Sequence, residues 1–558
     1  MCNKIVTKQQ LDPRRRYLSL PTRIVSISDS KKIDNPQNLL KDGLDVCVIK
    51  TSDTPVGLVL DFGTEIHGGI QILTTATSTP NSESPQLRVR IRLGESVSEV
   101  LGTPNNDHAL NLIESLLPCQ SRSEFGQTGF RFAHIEILEK NALVQIRHIK
   151  AVCLKHPWPY LGSFHCDDQE VNDIWKTGAN TVHLCCQDHI WDGIKRDRMA
   201  LSGDMHPQVP VIACVFGNQP IVIDTLKFIS EQTPPGSWTH SISAYSLWWI
   251  IALYEWYWYT GDIEILKNLH GDLNKICDTV LNNIDDKGRE IMPGRRFLDW
   301  PSHGKQSDIN SALQALCVWA VRSALFLYEK LEDYTNAKEC SQTLELMKNL
   351  PMTCSLHKQT ISLRVLAGLE KASKANTSLK VNPYDDISPW FGYYILQARS
   401  KAGDVDGCLE MLKKYWGGML RLGASTFWEQ YDINWETNAL KIYQLPRQGL
   451  RDIHMNCGEN CYKGHRHSLC HGWSGGSTAW LSRNVLGIIP LEPGYSKVEI
   501  KPMLGSLKFA EGTFPVPGGI ISVSHTKEPD GTVSSKINAP DNVVIVHDQN
   551  KLETIPKP

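Results

Sequence analysis

Cysteine is sparse in this 558-residue chain: 16 residues, or about 3%, well below the ~8–10% of a disulfide-stapled scaffold. Charge of one sign is also missing. Lys+Arg number 58 against Asp+Glu 60, a formal net charge of -2, so nothing is arranged to neutralise a polyanion and no nucleic-acid partner is expected. Long apolar runs are lacking too. The longest, Leu247–Tyr254, stops at Glu255, far short of the ~20 residues of a membrane span, and no membrane partner is expected. Glycine and proline are not in excess at 40 and 30, which excludes collagen-like and largely disordered chains. Met1-Cys2-Asn3-Lys4 and Arg14-Arg15-Arg16 form no signal-peptide h-region or cleavage site. The expected location is therefore cytoplasmic, with reduced and mostly buried thiols. Phenylalanine is outnumbered by tryptophan, 13 to 16. Flat indole faces suit sugar rings, so the inversion hints at carbohydrate.

Three segments follow from the hydrophobic period. Residues 1–160 read as a β-sandwich. In Leu87-Arg88-Val89-Arg90-Ile91-Arg92-Leu93 the apolar residues face one way and the arginines the other, as in a half-buried antiparallel strand. Phe130–Ile137 repeats the pattern. Residues 161–483 turn helical. Gln169–Cys185, Tyr245–Tyr259, Ile263–Leu281, Ser311–Leu331, Thr335–Asn349 and Asp404–Tyr415 carry apolar residues at i, i+3, i+4. Gly261 and Asp262 supply a C′ glycine and an N-cap between two of them. Leu247–Tyr254 is apolar all round, like a helix buried on every side, while its neighbours are one-sided. At ~27 residues per helix and loop the segment holds roughly twelve helices, which fits an inner ring within an outer ring, an (α/α)6 barrel. Residues 484–558 return to β, with Lys497–Ile500, Gly519–Ser524 and Asn542–Val546 as strands.

Charge concentrates between Asp192 and Asp204. Asp192, Asp197 and Asp204 alternate with Lys195, Arg196 and Arg198 over thirteen residues. Such a mixture can hold one carboxyl ionised and another protonated, as acid–base catalysis needs; the plain alternative is a salt-bridged surface loop. A second candidate is Thr426-Phe427-Trp428-Glu429, an acid among aromatics, with Glu436 beside Trp435 as its rival. A third is Leu298-Asp299-Trp300, where the alternative role is a capping Asp. Residues 457–471 hold Cys457, Cys461, His465, His467, Cys470 and His471. Their spacing matches no standard zinc finger or ribbon, so histidines that hydrogen-bond a ligand are the favoured reading and no metal is expected.

Taken together, these features resemble the α-L-rhamnosidases of glycoside hydrolase family 78, across nearly the whole chain. At the front the resemblance rests on Asp61-Phe62-Gly63-Thr64-Glu65, Gly94-Glu95-Ser96-Val97 and Gly129–Phe132. In the barrel, Asp192, Arg196, Arg198, Gly203 and Asp204 match the family's acid-bearing loop, which here is one residue shorter and has no Glu. Leu201 stands in place of a Trp. Aligned from the Gly-Asp end, Asp197 falls at the general acid; aligned from the front, it is the preceding Asp. Glu429 falls at the general base, His471 at a substrate-binding His, and Asp299 at a sugar-contacting acid. The resemblance implies inverting hydrolysis that releases terminal α-L-rhamnose, or a related deoxy sugar, from a small carbohydrate or glycoside, without a cofactor. Asp197 and Glu429 are then catalytic. Asp192, Arg196, Arg198, Asp204, Asp299, Trp300, Trp428, His471 and Trp473 bind substrate, and Asp192 or Asp204 is a substitute acid. Alternatives from other classes are an inactive sugar-binding relative, an (α/α)6 hydrolase for another sugar, and a zinc enzyme. For the last, Cys470-His471-Gly472 is similar to the Cys-His-Gly of lanthionine cyclases, but the chain lacks the Trp-Cys pair those need. No feature of the sequence sets an oligomeric state.

Overall fold

A computed structural model describes residues 12–102, 111–351, 355–546 and 552–554. Two compact units divide after Pro159.

The first unit is one nine-stranded, antiparallel sheet. Its longest strand, Val56–Ser78, pairs with Arg122–Ile137 on one side and Leu143–Lys155 on the other. Register shifts after Asp61, Gly68 and Leu73 bend it, as bulges do, and the sheet gathers its inward residues into one core. Leu87–Gly94 keeps the expected alternation, with Leu87, Val89, Ile91 and Leu93 buried.

In the second unit six inner helices form a closed ring. They are Gln208–Phe216, Ser243–Thr260, Gln306–Lys330, Lys358–Leu366, Pro389–Lys401 and the run Gly476–Val485, each packed on the next and the last on the first. Outer helices Ile221–Glu231, Ile263–Leu281, Tyr334–Lys348, Ala372–Leu379 and Val405–Met411 alternate with them, and Gln169–Cys185 backs the last. Chemistry separates the rings. Ser243–Thr260 is apolar all round and buries Trp248, Trp249 and Trp256, whereas Ile263–Leu281 buries only one stripe. Gly261 ends the first with φ 63°, and Asp262 caps the second by accepting from the Glu264 N–H at 2.9 Å. Three inner helices carry no clear sequence signal. Gln208–Phe216 and Lys358–Leu366 are only nine residues long, and the former reads as a short apolar run with Pro210 inside it. Pro389 opens the third at a first-turn position. Gln306–Lys330 is long and apolar enough to cross a membrane by length and composition, contrary to the expectation that no segment is. Here it is an inner helix, largely buried among its neighbours.

The C-terminal strands are knit onto the helical unit rather than standing apart. Ser163–Cys166, just before the first helix, pairs antiparallel with Phe509–Val516 in a five-stranded sheet. A three-stranded sheet of Ile488–Pro490, Lys497–Ile500 and Val544–Val546 adjoins it in sequence.

Candidate functional site

Three chain segments run side by side at one end of the inner ring. The Gly472 N–H donates to the Asp192 carbonyl at 2.7 Å, and Gly193 bridges to His471. The His471 N–H donates to the Phe427 carbonyl at 2.9 Å, and the Glu429 N–H to the Ser468 carbonyl at 3.0 Å. These bonds bring Asp192 together with Glu429 and His471, which lie more than two hundred residues further along the chain.

Glu429 is the centre. It is 2% exposed. The indole N–H of Trp300 donates to its Oε1 at 3.1 Å, the Ser468 N–H donates to Oε2 at 3.3 Å, and the Arg196 guanidinium pairs with Oε2. Burial works against the charge, but Arg196, His471, His467 and the Ser468 N–H outweigh it and hold the carboxyl down to about 2. Arg196 is itself fixed. Its Nε donates to the Arg466 carbonyl at 2.5 Å, and its guanidinium lies 4.3 Å from the Tyr462 ring centroid, which also carries Arg466 at 4.2 Å. The other edge of Arg196 pairs with Asp197. One guanidinium thus spans both carboxylates, so their oxygens are at most about 8 Å apart.

The loop holding Asp197 closes on Asp192. The Met199 N–H donates to Asp192 Oδ1 at 2.8 Å, and the Asp192 N–H donates to the Met199 carbonyl at 3.0 Å. Between them Asp197 and Arg198 both take the left-handed conformation, φ 55° and 53°, costly for residues with a Cβ. Both are exposed, while Asp192 is 4% exposed. Burial pushes the Asp192 carboxyl up to about 7; Asp204 and Asp197 add to this, and His471 and the Met199 N–H oppose it. Lys195 pins the loop from beneath. It is buried, with its ammonium donating to the carbonyls of His465 at 2.5 Å and His467 at 2.8 Å and lying 3.2 Å from His454 Nε2.

Asp204 holds His471 rather than opening outward. His471 Nε2 lies 3.1 Å from its Oδ1, and the Tyr245 hydroxyl donates to Oδ2 at 2.8 Å. Burial disfavours the imidazolium, but the bond to Asp204 and the charges of Glu429 and Asp192 raise His471 above its ordinary value.

Two expected ligand contacts lie inside the protein instead. Asp299 is fully buried. Its Oδ1 accepts from the Ser302 N–H and hydroxyl, and its Oδ2 from Gln359 at 3.0 Å and Ser388 at 2.8 Å. All four lone-pair positions are filled, so Asp299 joins the entrances of three inner helices and has none left for a sugar. Trp428 is fully buried with its ring edge-on to Tyr431, in the core rather than on a pocket wall. Trp473 stacks on Trp390 at 5.0 Å and donates to the Glu429 carbonyl at 3.0 Å. Of the three tryptophans, Trp300 alone is half-exposed beside the carboxylate. In the 457–471 stretch, His471 serves Asp204, His467 Nε2 accepts the Gln430 N–H, and Cys470 packs with Leu184, Cys185 and Ile194. Among the described residues, no three of its Cys and His side chains bring ligand atoms together. Sequence reasoning missed Lys195 as an anchor, and also Tyr245, Tyr462 and Ser468. Tyr245 was hidden in an apolar helix, and the other two in the Cys/His stretch.

Parts of the chain are similar to known proteins. Residues 159–343 match the bacterial α-L-rhamnosidase six-hairpin glycosidase domain, and residues 487–548 match the bacterial α-L-rhamnosidase C-terminal domain. An α-L-rhamnosidase of Alteromonas sp. (strain LOR) is 34% identical over 136 residues, covering 24% of this chain and 12% of that protein. The fold is similar to that of the GH78 family rhamnosidase of Bacillus sp. GL1, with a TM-score of 0.77 and 22% identity, over 93% of this chain and 56% of that one. It is also similar to a rhamnosidase from Klebsiella oxytoca solved with rhamnose bound, with a TM-score of 0.67 and 19% identity, over 85% and 96%. The chain thus spans little more than half of the Bacillus protein, and its match to the Alteromonas protein is shorter still. Two stretches of the chain are thus similar to α-L-rhamnosidase domains, and its fold is similar to that of GH78 rhamnosidases.

Proposed function

We propose that the chain is a glycosidase that releases terminal α-L-rhamnose from a glycoside with inversion. Glu429 is the carboxylate that activates water. The observation that carries this reading is a buried glutamate kept ionised at the end of the ring, with Arg196, Trp300 and His471 around it. A base must be charged when substrate arrives, and this environment ensures it. Inversion also needs a second carboxyl that carries a proton, some 6.5–9.5 Å away with room for water. Asp197 is assigned that role, because it reaches solvent and lies across Arg196 from Glu429; its pairing with Arg196 opposes the proton until substrate moves that cation. Asp192 is its rival, because burial pushes its carboxyl up to about 7, within reach of a proton at neutral pH. Substrate must first displace Arg196 from Glu429, which frees both acids.

Hydrolysis of 4-nitrophenyl α-L-rhamnoside, lost in Glu429→Gln, tests the assignment. Whichever of Asp197→Asn and Asp192→Asn loses far more activity on methyl than on nitrophenyl rhamnoside is the acid, since a poor leaving group needs the proton most. The Arg196 contact also favours a second reading, an inactive relative that binds sugar with its base permanently covered. A wild-type chain that binds L-rhamnose but cleaves neither glycoside supports that second reading and refutes the first.

A further inference from the structure

A cavity of about 520 Å³ lies at the end of the inner ring opposite Glu429. Its size is within the ~300–1,000 Å³ of small-molecule sites. The helices lining it fix its place. Tyr245, on the first turn of Ser243–Thr260, bonds Asp204, while Tyr254, Glu255 and Trp258 on the same helix line the cavity. At 1.5 Å per residue Glu255 is about 15 Å along the axis from Tyr245. Pro389–Lys401 shows the same polarity: Trp390 stacks on Trp473, and Gln397, two turns on, lines the cavity. The C-terminal strands Ile488–Pro490 and Lys497–Ile500 contribute another wall.

The lining combines an aromatic platform with a fixed ion pair. The Trp258 ring is half-exposed and stacks on Phe326 at 5.5 Å, which sets its plane. Beside it Arg483 pairs with Glu255 Oε1. Burial opposes the Glu255 charge, but Arg483 and His206 outweigh it and keep the carboxylate ionised. Such a pair repays its desolvation only when its remaining hydrogen-bond positions are filled, yet Arg483 Nε has no partner among the described residues. Trp258 Nε1 and Tyr495 Oη are buried, each beside a polar neighbour, Tyr254 and Arg483 respectively. Native interiors leave few groups like Arg483 Nε unmatched. Charges around the cavity nearly cancel, with Arg483, Lys401 and Lys501 against Glu255 and Glu499, so a highly charged ligand is disfavoured. A pyranose offers an apolar ring face for an indole, and hydroxyls that both donate to a carboxylate and accept from a guanidinium.

We infer that this cavity is a second sugar-binding site, for a neutral pyranose, separate from the reaction at Glu429. L-rhamnose, D-glucose and D-galactose, each titrated into the full chain by calorimetry with saturation-transfer NMR, test it. Gln397→Trp fills the cavity. Trp258→Phe keeps the packing on Phe326 but removes the N–H. At least one sugar is expected to bind the wild type and to bind Gln397→Trp at least tenfold more weakly. Trp258→Phe should weaken it about threefold or more, with thermal unfolding and any rhamnoside hydrolysis unchanged in both variants. The inference is overturned if no sugar binds the wild type, or if every sugar that does so binds both variants equally well. A chain without rhamnosidase activity that still shows this loss refutes only the reading of Glu429.

Discussion

Replacing Arg196 by methionine removes the largest influence that keeps Glu429 charged. Between an ordinary glutamate near 4.5 and about 2, the ionised form gains roughly 3 kcal/mol, at ~1.36 kcal/mol per pH unit. Because the folded value is depressed, this stabilisation is complete above about 4.5 and is lost as pH falls towards about 2. In Arg196→Met the balance inverts. A carboxylate 2% exposed without its cation is destabilised by about 3–5 kcal/mol at neutral pH, and burial then drives its folded value above the ordinary one. The variant therefore gains stability on acidification through that raised value, where the wild type is flat and then loses it below about 4.5. Urea midpoints between pH 3 and 8 measure this, with Glu429→Gln and the double variant closing the cycle so that other carboxylates cancel. Matching pH slopes for Arg196→Met and wild type, each referred to its Glu429→Gln partner, would refute the reasoning. So would a loss below about 1 kcal/mol at pH 7, the level of an exposed pair.

Asp299→Ala removes the shared acceptor of Ser302, Gln359 and Ser388 and should cost about 3 kcal/mol; thermal unfolding measures it, and unaltered stability would reinstate Asp299 as a ligand contact. A Cβ at Gly203 would lie 2.5 Å from the Tyr245 ring, so Gly203→Ala should push the Tyr245 hydroxyl off Asp204, at about 1–3 kcal/mol, visible as a shifted His471 NMR titration. Asp204→Asn should lower the His471 titration in the same spectrum. In the wild type the stabilisation from His471 is present below the ordinary 6.5 and lost as pH rises through its raised folded value. Lys195→Met removes the ammonium that donates to the carbonyls of His465 and His467; the expected result is weaker L-rhamnose binding with little change in far-UV circular dichroism.

The sequence displayed the architecture wherever period and length agreed. Gln169–Cys185 and Ile263–Leu281 carry one-sided stripes long enough to identify, and their observed bounds coincide with the expected ones. Gln208–Phe216 could not be told from a strand, because a short, mostly apolar run looks alike in either conformation when both sides are buried. At the site, the family pattern pointed to Glu429, Asp192 and His471 as neighbours, and the hydrogen bonds between their segments join them. It could not show which acids face a ligand. Trp428 and Trp300 each stand next to a candidate acid in sequence, yet one ring is core and the other half-exposed. That difference depends on Tyr431, Tyr462 and Phe297, which pack around them from other directions.

The pairing of Ser163–Cys166 with Phe509–Val516 has a consequence for how the chain is made. Ser163 and Thr513 bond across 350 residues. At ~5–20 residues per second, a ribosome needs roughly 20–70 s to deliver the second strand after the first. The inner ring also stays open until Gly476–Val485 emerges to meet Gln169–Cys185 and Gln208–Phe216. Throughout that interval the tryptophan-rich Ser243–Thr260 helix lacks its full enclosure. Holding nascent chains, rather than refolding finished ones, is where a chaperone would matter most to this protein.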